Sequence, residues 1–211
     1  MASSLPSGMA EIDIDLVCWD FGDTLIDERM MWRAPDGVPD WPEIYTRWFT
    51  EHPGWDDRWM VGEALLNDMI PWLAAETGMS RAAVSRHLRW TWTQAEWFAS
   101  SRHWVDRLNG DVLQAIVTVN PYEFSGVSAA IGIDGLVDVI VTSADLGRLE
   151  KSAMADEARS ILGLAPGLTT SLLIDNKQHN IDEFRAAGGH AILFDPSSPD
   201  RLHDDIATYV G

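Results

Sequence analysis

The sequence predicts an α/β protein, a doubly wound sheet of five parallel strands with a helical segment inserted after the first strand. Three observations carry this expectation. Short apolar runs recur at 16–21 (LVCWDF), 115–120 (AIVTVN), 137–144 (VDVIVTSA), 171–175 (SLLID) and 191–196 (AILFDP), each of strand length. Single helical stretches separate the last four, at about 122–131, 151–162 and 180–187, and strands alternating with helices pair in parallel. Between the first run and the second lie 83 residues of different character, 28–110, too long for a simple crossover.

Taken in order, the start of the chain (MASSLPSGMAEIDID) has neither a basic segment nor an apolar core, so it does not read as a secretory signal. The first strand follows and ends at Asp20. The insert has helical apolar periodicity at 41–49, 61–76 and 81–98, and holds ten of the eleven tryptophans. It reads as a cap over the strand ends, residues 28–109, on a core made of 1–27 and 110–211. Trp90, Trp97 and Trp104 recur every seven residues and share one face if their helix is continuous; Ser100-Ser101 is where it would break. The tryptophans form either the cap's own core, the lining of a substrate cavity or a dimer contact. The last long helix stops at Gly188-Gly189.

Composition narrows the function. A hydrophobic share of 46% with 23% charged residues belongs to an ordinary globular protein. No apolar run approaches the roughly 20 residues that span a bilayer. The lone Cys18 excludes an internal disulfide, and the cytoplasm is the expected location. A formal charge of −18 argues against nucleic acid, which needs a basic footprint. Residues 77–88 (TGMSRAAVSRHL) resemble half of a helix-turn-helix, but in this acidic setting they read as a helix capped by Ser80. Lysine is scarce: Lys151 and Lys177 stand against thirteen arginines.

The hexamer Asp20-Phe21-Gly22-Asp23-Thr24-Leu25 directly follows an apolar strand. It resembles the first motif, Asp-x-Asp-Gly-Thr-Leu, of the haloacid-dehalogenase-like (HAD-like) hydrolase superfamily. Three further matches come in the family's order: Thr118 ends the second core strand with Asn120 close behind, Lys151 starts a helix after the third, and LLIDNKQHNIDEFRAAGG follows the fourth. The resemblance runs from about Leu16 to Pro196, and in the cap it extends only to position and helical character. It implies a central nucleophile strand. Asp20 attacks the substrate, Thr118 and Lys151 hold and neutralise the transferring group, and Asn120 helps to bind it. It also implies a Mg²⁺ ion, held by the Asp20 carboxylate, the Gly22 carbonyl and the fourth motif at Asp175 and Asn176.

Two positions depart from the family pattern. Gly22 stands where phosphatases of the family carry the Asp that protonates the leaving group and then activates water. General acid–base catalysis of that kind contributes about 10²–10⁴ in rate. Asn176 stands at the usual metal carboxylate, so only weak Mg²⁺ binding is expected. The leading expectation is a phosphatase-type enzyme acting on a small-molecule phosphate ester, with rates that follow the leaving group. A metal-independent 2-haloacid dehalogenase is an alternative. It would need a cap arginine, for which Arg33 and Arg47 are the candidates, and an apolar cradle. A third reading is a catalytically degenerate binding protein. The expected partner is an anionic small molecule, with neither nucleic acid nor membrane, and a homodimer if a tryptophan face is exposed.

Overall fold

The structure, a computed structural model, describes residues 13–210. Most of the N-terminal segment read for a secretory signal, residues 1–12, lies outside them. The predicted α/β sheet is present. Five parallel strands lie in the order β5 (Val139–Thr142), β4 (Leu113–Thr118), β1 (Leu16–Trp19), β6 (Ser171–Asp175), β7 (His190–Leu193). β1 is central. Its four residues are all buried, because both faces of the sheet are covered and polar alternation is not required. Leu16 and Cys18 pack with Met154 and Ala158 of α8 (Lys151–Ile161) and with Phe184 of α9 (Gln178–Ala186). Val17 and Trp19 face the opposite way, in the cluster that holds Phe124 of α6 (Phe124–Ile131) and Ile206 of α10 (Leu202–Ile206).

Four of the five strands end short of the apolar runs that announced them, and β6 ends with its run. The run at 137–144 stops being a strand at Thr142, which caps a short helix, α7 (Ser143–Leu146): Thr142 Oγ1 accepts from the Asp145 N–H at 3.2 Å. A hydroxyl that offers the backbone an N-cap is a sufficient stop.

Between β1 and β4 the chain makes β2 (Ile26–Asp27), a 3₁₀ turn at Glu28–Trp32, α1 (Trp41–Glu51), α2 (Trp55–Met60), α3 (Leu66–Thr77), α4 (Arg81–Trp92), β3 (Glu96–Trp97) and α5 (Ala99–Leu108). Ser80 caps α4 as expected, accepting from the Ala83 N–H at 3.2 Å. The helix predicted over 81–98 ends at Trp92, because the chain turns to pair β3 antiparallel with β2. Trp90, Trp97 and Trp104 therefore share no face, and Ser100-Ser101, the expected break, sit inside α5. Although α5 falls within the predicted cap range of 28–109, it packs on β4, on α10 and on the 3₁₀ turn at Pro199–Arg201, all within the predicted core range.

Most tryptophans of the insert are buried in it. Trp41, Trp48, Trp55 and Trp59 are at most 7% exposed, and Trp48, Trp55, Trp59 and Trp92 form a chain of ring contacts. Trp32 and Trp90 are the exposed ones. Two core residues fasten this layer to the sheet. Glu123 accepts from Trp59 Nε1 at 3.3 Å and from the Leu66 N–H at 3.0 Å, and Ser143 Oγ donates to the Met60 carbonyl at 2.6 Å.

At the opposite end of the sheet Arg159 is 2% exposed. It donates to Asp15 at 2.6 and 3.0 Å, to Ser171 Oγ at 2.9 Å and to the Ala165 carbonyl at 2.7 Å. Burial works against the Asp15 charge, yet Arg159 holds its carboxyl below the usual range. That contribution is complete above the ordinary carboxylate pKa of about 4 and fades as pH falls through the depressed value. Arg159→Met is expected to cost about 2 kcal/mol at pH 7, read by urea denaturation. Its deficit against the wild type should narrow below about pH 4; a deficit constant with pH would exclude the ion pair as its source.

Candidate active site

Register sets the site. Trp19 pairs with Ile116 on one side and with Ile174 on the other, so the carboxyl ends of the three central strands are level. Ligands of such sheets sit beyond those ends. Asp20, Thr118 and Asp175 emerge there, all three buried. Lys151, at the start of α8, is 1% exposed and reaches into the same space. Its ammonium donates to Asp20 Oδ1 at 2.5 Å and to the Val117 carbonyl at 2.8 Å, and lies 3.2 Å from Asp175 Oδ2. Thr118 Oγ1 donates to Asp20 Oδ1 at 3.2 Å and accepts from Asn120 Nδ2 at 2.7 Å.

Burial opposes the Lys151 charge, but Asp20 and Asp175 offset it and hold the ammonium above its usual pKa. Burial also raises the Asp20 carboxyl, against the pull of Lys151 and with a push from Asp175. Both recorded partners of Asp20 bind Oδ1. Oδ2 has no hydrogen-bond partner among the described residues.

After β1 the chain turns sharply. Asp23 has φ 50°, the one positive value for a residue other than glycine among the described residues, a conformation that Asp tolerates better than most side chains. Its Oδ1 accepts from the Glu28 N–H at 3.1 Å, so Asp23 caps the returning chain. Glu28 is thereby folded back on Gly22. A Cβ built on Gly22 would lie 1.6 Å from Glu28 Oε1. Burial, then the charges of Asp23 and Asp20, push the Glu28 carboxyl up to about 7. Glu28 also lines a cavity of about 50 Å³ between core and cap, with Phe21, Ile26, Trp59, Trp92 and Asn120.

No family model matches this chain, and no curated protein matches it in sequence. Solved structures do. A predicted HAD-like family hydrolase from Porphyromonas gingivalis superposes with a TM-score of 0.68 at 16% identity, over 94% of this chain and 98% of that one. A HAD family enzyme from Bacteroides thetaiotaomicron gives 0.68 at 11% identity, over 91% and 98%; it has also been crystallised with magnesium and inorganic phosphate. An L-2-haloacid dehalogenase from Xanthobacter autotrophicus, with chloropropionic acid covalently bound, gives 0.64 at 15% identity, over 92% and 83%. This is the HAD-like fold.

Within the HAD-like fold, the residues named from sequence divide in two. The structure brings Asp20, Thr118, Lys151 and Asn120 into one hydrogen-bonded group. The four groups expected to hold Mg²⁺ do not assemble as a donor set. Asp175 is committed on both oxygens, Oδ1 to the Lys177 N–H at 2.8 Å and Oδ2 to Asn180 Nδ2 at 2.8 Å and to Lys151; its place is a brace for the lysine, not a metal ligand. Asn176 lines a groove beside β7 with Arg185, Asp195 and Tyr209, and its Oδ1 is buried without a partner. Gly22 adds only a carbonyl. Hard divalent cations favour several carboxylates, and Asp20 Oδ2 is the one free carboxylate oxygen of the four groups. No cluster of three His, Cys, Asp or Glu suited to a metal occurs among the described residues. These residues do not fit Mg²⁺.

The cap arginines also lie apart. Arg33 stacks on Trp90 at 5.1 Å, while Arg47 stacks on Trp72 at 5.4 Å and pairs with Glu76. Neither lines the cavity. Two residues of the site escaped the sequence reading. One is Glu28. The other is Lys177, exposed at the start of α9, whose charge acts on Asp20, Glu28 and Asp56 of α2 alike. Its rarity was the available signal, since it is one of two lysines in the chain.

Proposed function

We propose that the protein is a hydrolase of small-molecule phosphate esters that works through an aspartyl-phosphate on Asp20. The observation that carries this reading is the locked Lys151–Asp20–Thr118 group, which presents one carboxylate oxygen beyond the central strand with a fixed ammonium beside it. Asp20 Oδ2 forms the bond to phosphorus as the ester P–O bond breaks, and the electron pair leaves on the ester oxygen. Lys151 offsets the negative charge that gathers around Asp20, in a site dry enough for one ammonium to matter. Thr118 fixes the carboxylate's orientation, and Asn120 fixes the threonine. Water then attacks phosphorus, releasing phosphate and restoring the Asp20 carboxylate.

The dehalogenase chemistry of the Xanthobacter neighbour is the competing reading. That neither Arg33 nor Arg47 lines the cavity weighs against it, because a leaving halide there has no arginine beside it. The test is hydrolysis of an aryl phosphate with an acidic phenol leaving group, with Asp20→Asn as control. Turnover that the control lacks is expected. With a single free carboxylate oxygen at the site, it should survive a chelator. No turnover above the control would reject the phosphatase. Halide release from short 2-haloacids would then establish the dehalogenase, and its absence a binding protein.

A further inference from the structure

The site as described lacks a group for the leaving-group proton. We propose that Glu28 is a catalytic residue, the acid and base whose carboxyl has replaced, from six residues further along the chain, the side chain missing at Gly22. This rests on the hydrolase reading above. Position is the main argument. Glu28 Oε1 lies 1.6 Å, its Cδ 2.3 Å and its Cγ 3.0 Å from where a Gly22 Cβ would stand. The glutamate therefore occupies the space that a side chain at 22 would leave by, and the two are mutually exclusive. Gly22 carries no positive φ, so backbone conformation does not demand glycine there. Room for Glu28 does.

The second argument is what the carboxyl faces. It forms part of the wall of the core–cap cavity, whose other lining includes Phe21, Ile26, Trp59, Met60, Trp92 and Phe124, all apolar, with Asn120 the polar neighbour. Phe21, next to Asp20 in the chain, and Asn120, which donates to Thr118, share this wall, so Glu28 stands beside the neighbours of the nucleophile. The third is anchorage. Glu28 is the first residue of the 3₁₀ turn, directly after β2, and its N–H is held by Asp23. The strained turn at Asp23 thus has a use: it brings residue 28 back over residue 22.

The proton balance is complete. As the P–O bond to the leaving group breaks, Glu28 gives its proton to the departing oxygen and becomes a carboxylate. In the second half it takes a proton from the attacking water as the new P–O bond forms and the Asp20 Oδ2–P bond breaks. Phosphate leaves, and both carboxyl groups return to their starting states.

The test compares an alkyl phosphate with an aryl phosphate of an acidic phenol, in wild type, Glu28→Gln, Asp20→Asn and the double variant Glu28→Ala/Gly22→Asp. Glu28→Gln should lower alkyl-phosphate turnover about 10²–10⁴-fold and leave release of the acidic phenol in a first turnover nearly intact. The dephosphorylation half should slow, so a burst of phenol equal to the enzyme is expected. The double variant, which moves the carboxyl back to residue 22, should regain alkyl-phosphate activity. Equal losses on both substrates in the first turnover, with no rescue by the double variant, would overturn the role of Glu28 and leave the hydrolase standing, provided Asp20→Asn is still dead. A wild type no better than Asp20→Asn on either substrate would overturn both.

Discussion

Lys151→Met is expected to lower folding stability by about 3–5 kcal/mol, the cost of stripping the partner from buried charge, and to abolish turnover. The ammonium sits between Asp20 and Asp175, both buried. With it, the cluster carries a net charge of −1; without it, −2 and no counter-charge. The pH dependence has a definite sign. Burial already raises the Asp20 carboxyl in the presence of the lysine, and loss of the cation raises it further. A carboxyl whose folded pKa lies above its unfolded one favours folding at low pH and loses that contribution as pH rises through the folded value. The variant should therefore gain on the wild type when urea denaturation is repeated at pH 5 instead of pH 7. A loss under about 1 kcal/mol, the scale of an exposed pair, would mean that the ammonium does not carry the two carboxylates.

Asp20→Asn should have the opposite profile, with turnover lost by about 10⁴-fold or more and the fold intact. The amide removes the attacking oxygen but keeps an acceptor for Lys151 and Thr118. Lys151 still has Asp175 at 3.2 Å and the Val117 carbonyl at 2.8 Å, and the cluster becomes neutral. Since burial penalises the Asp20 charge, a permanently neutral side chain should be at least as stable as the wild type at pH 7. Thermal melting of both proteins checks this. A variant that is inactive only because it is unfolded would remove the assignment of Asp20 as nucleophile. Together the two substitutions separate the chemical role of the carboxylate from the structural role of the ammonium.

The parts of this protein legible in its sequence were those written in short apolar runs and their terminal residues. β1, β4 and β6 announced themselves because strands buried on both faces must be apolar throughout, and the polar residue that ends each run is then conspicuous. Asp20, Thr118 and Asp175 stand in or at the end of those runs, and they were assigned, with Lys151 between the last two, from the order of the family's motifs. Side-chain direction was not legible. Asp175 and Asn176 are adjacent, and only the path of the chain beyond β6 decides that Asp175 turns to Lys151 while Asn176 turns to the groove beside β7. α5 has an amphipathic pattern like its neighbours, and a pattern states that a face is buried without naming what buries it. Glu28 had no signal at all: it belongs to no motif, and its importance is a contact with a glycine across a turn held by Asp23. Gly22 read alone looked like a deletion of function, whereas the structure shows the Glu28 carboxyl in the space a side chain there would take.

The cap is suspended at two edges. One is the pair of chain connections by which it is entered and left, held together by the β2–β3 ladder. The other is the turn between Met60 and Leu66, gripped by Ser143 and Glu123 and closed by Tyr122, whose ring would stand 2.5 Å from a Cβ on Gly62. A lid hinged on one side swings open for guests of many shapes; one pinned on both can only breathe. On the proposed function, entry to Asp20 is then a matter of girth, and slender esters should pass where bulky ones are turned away at the threshold.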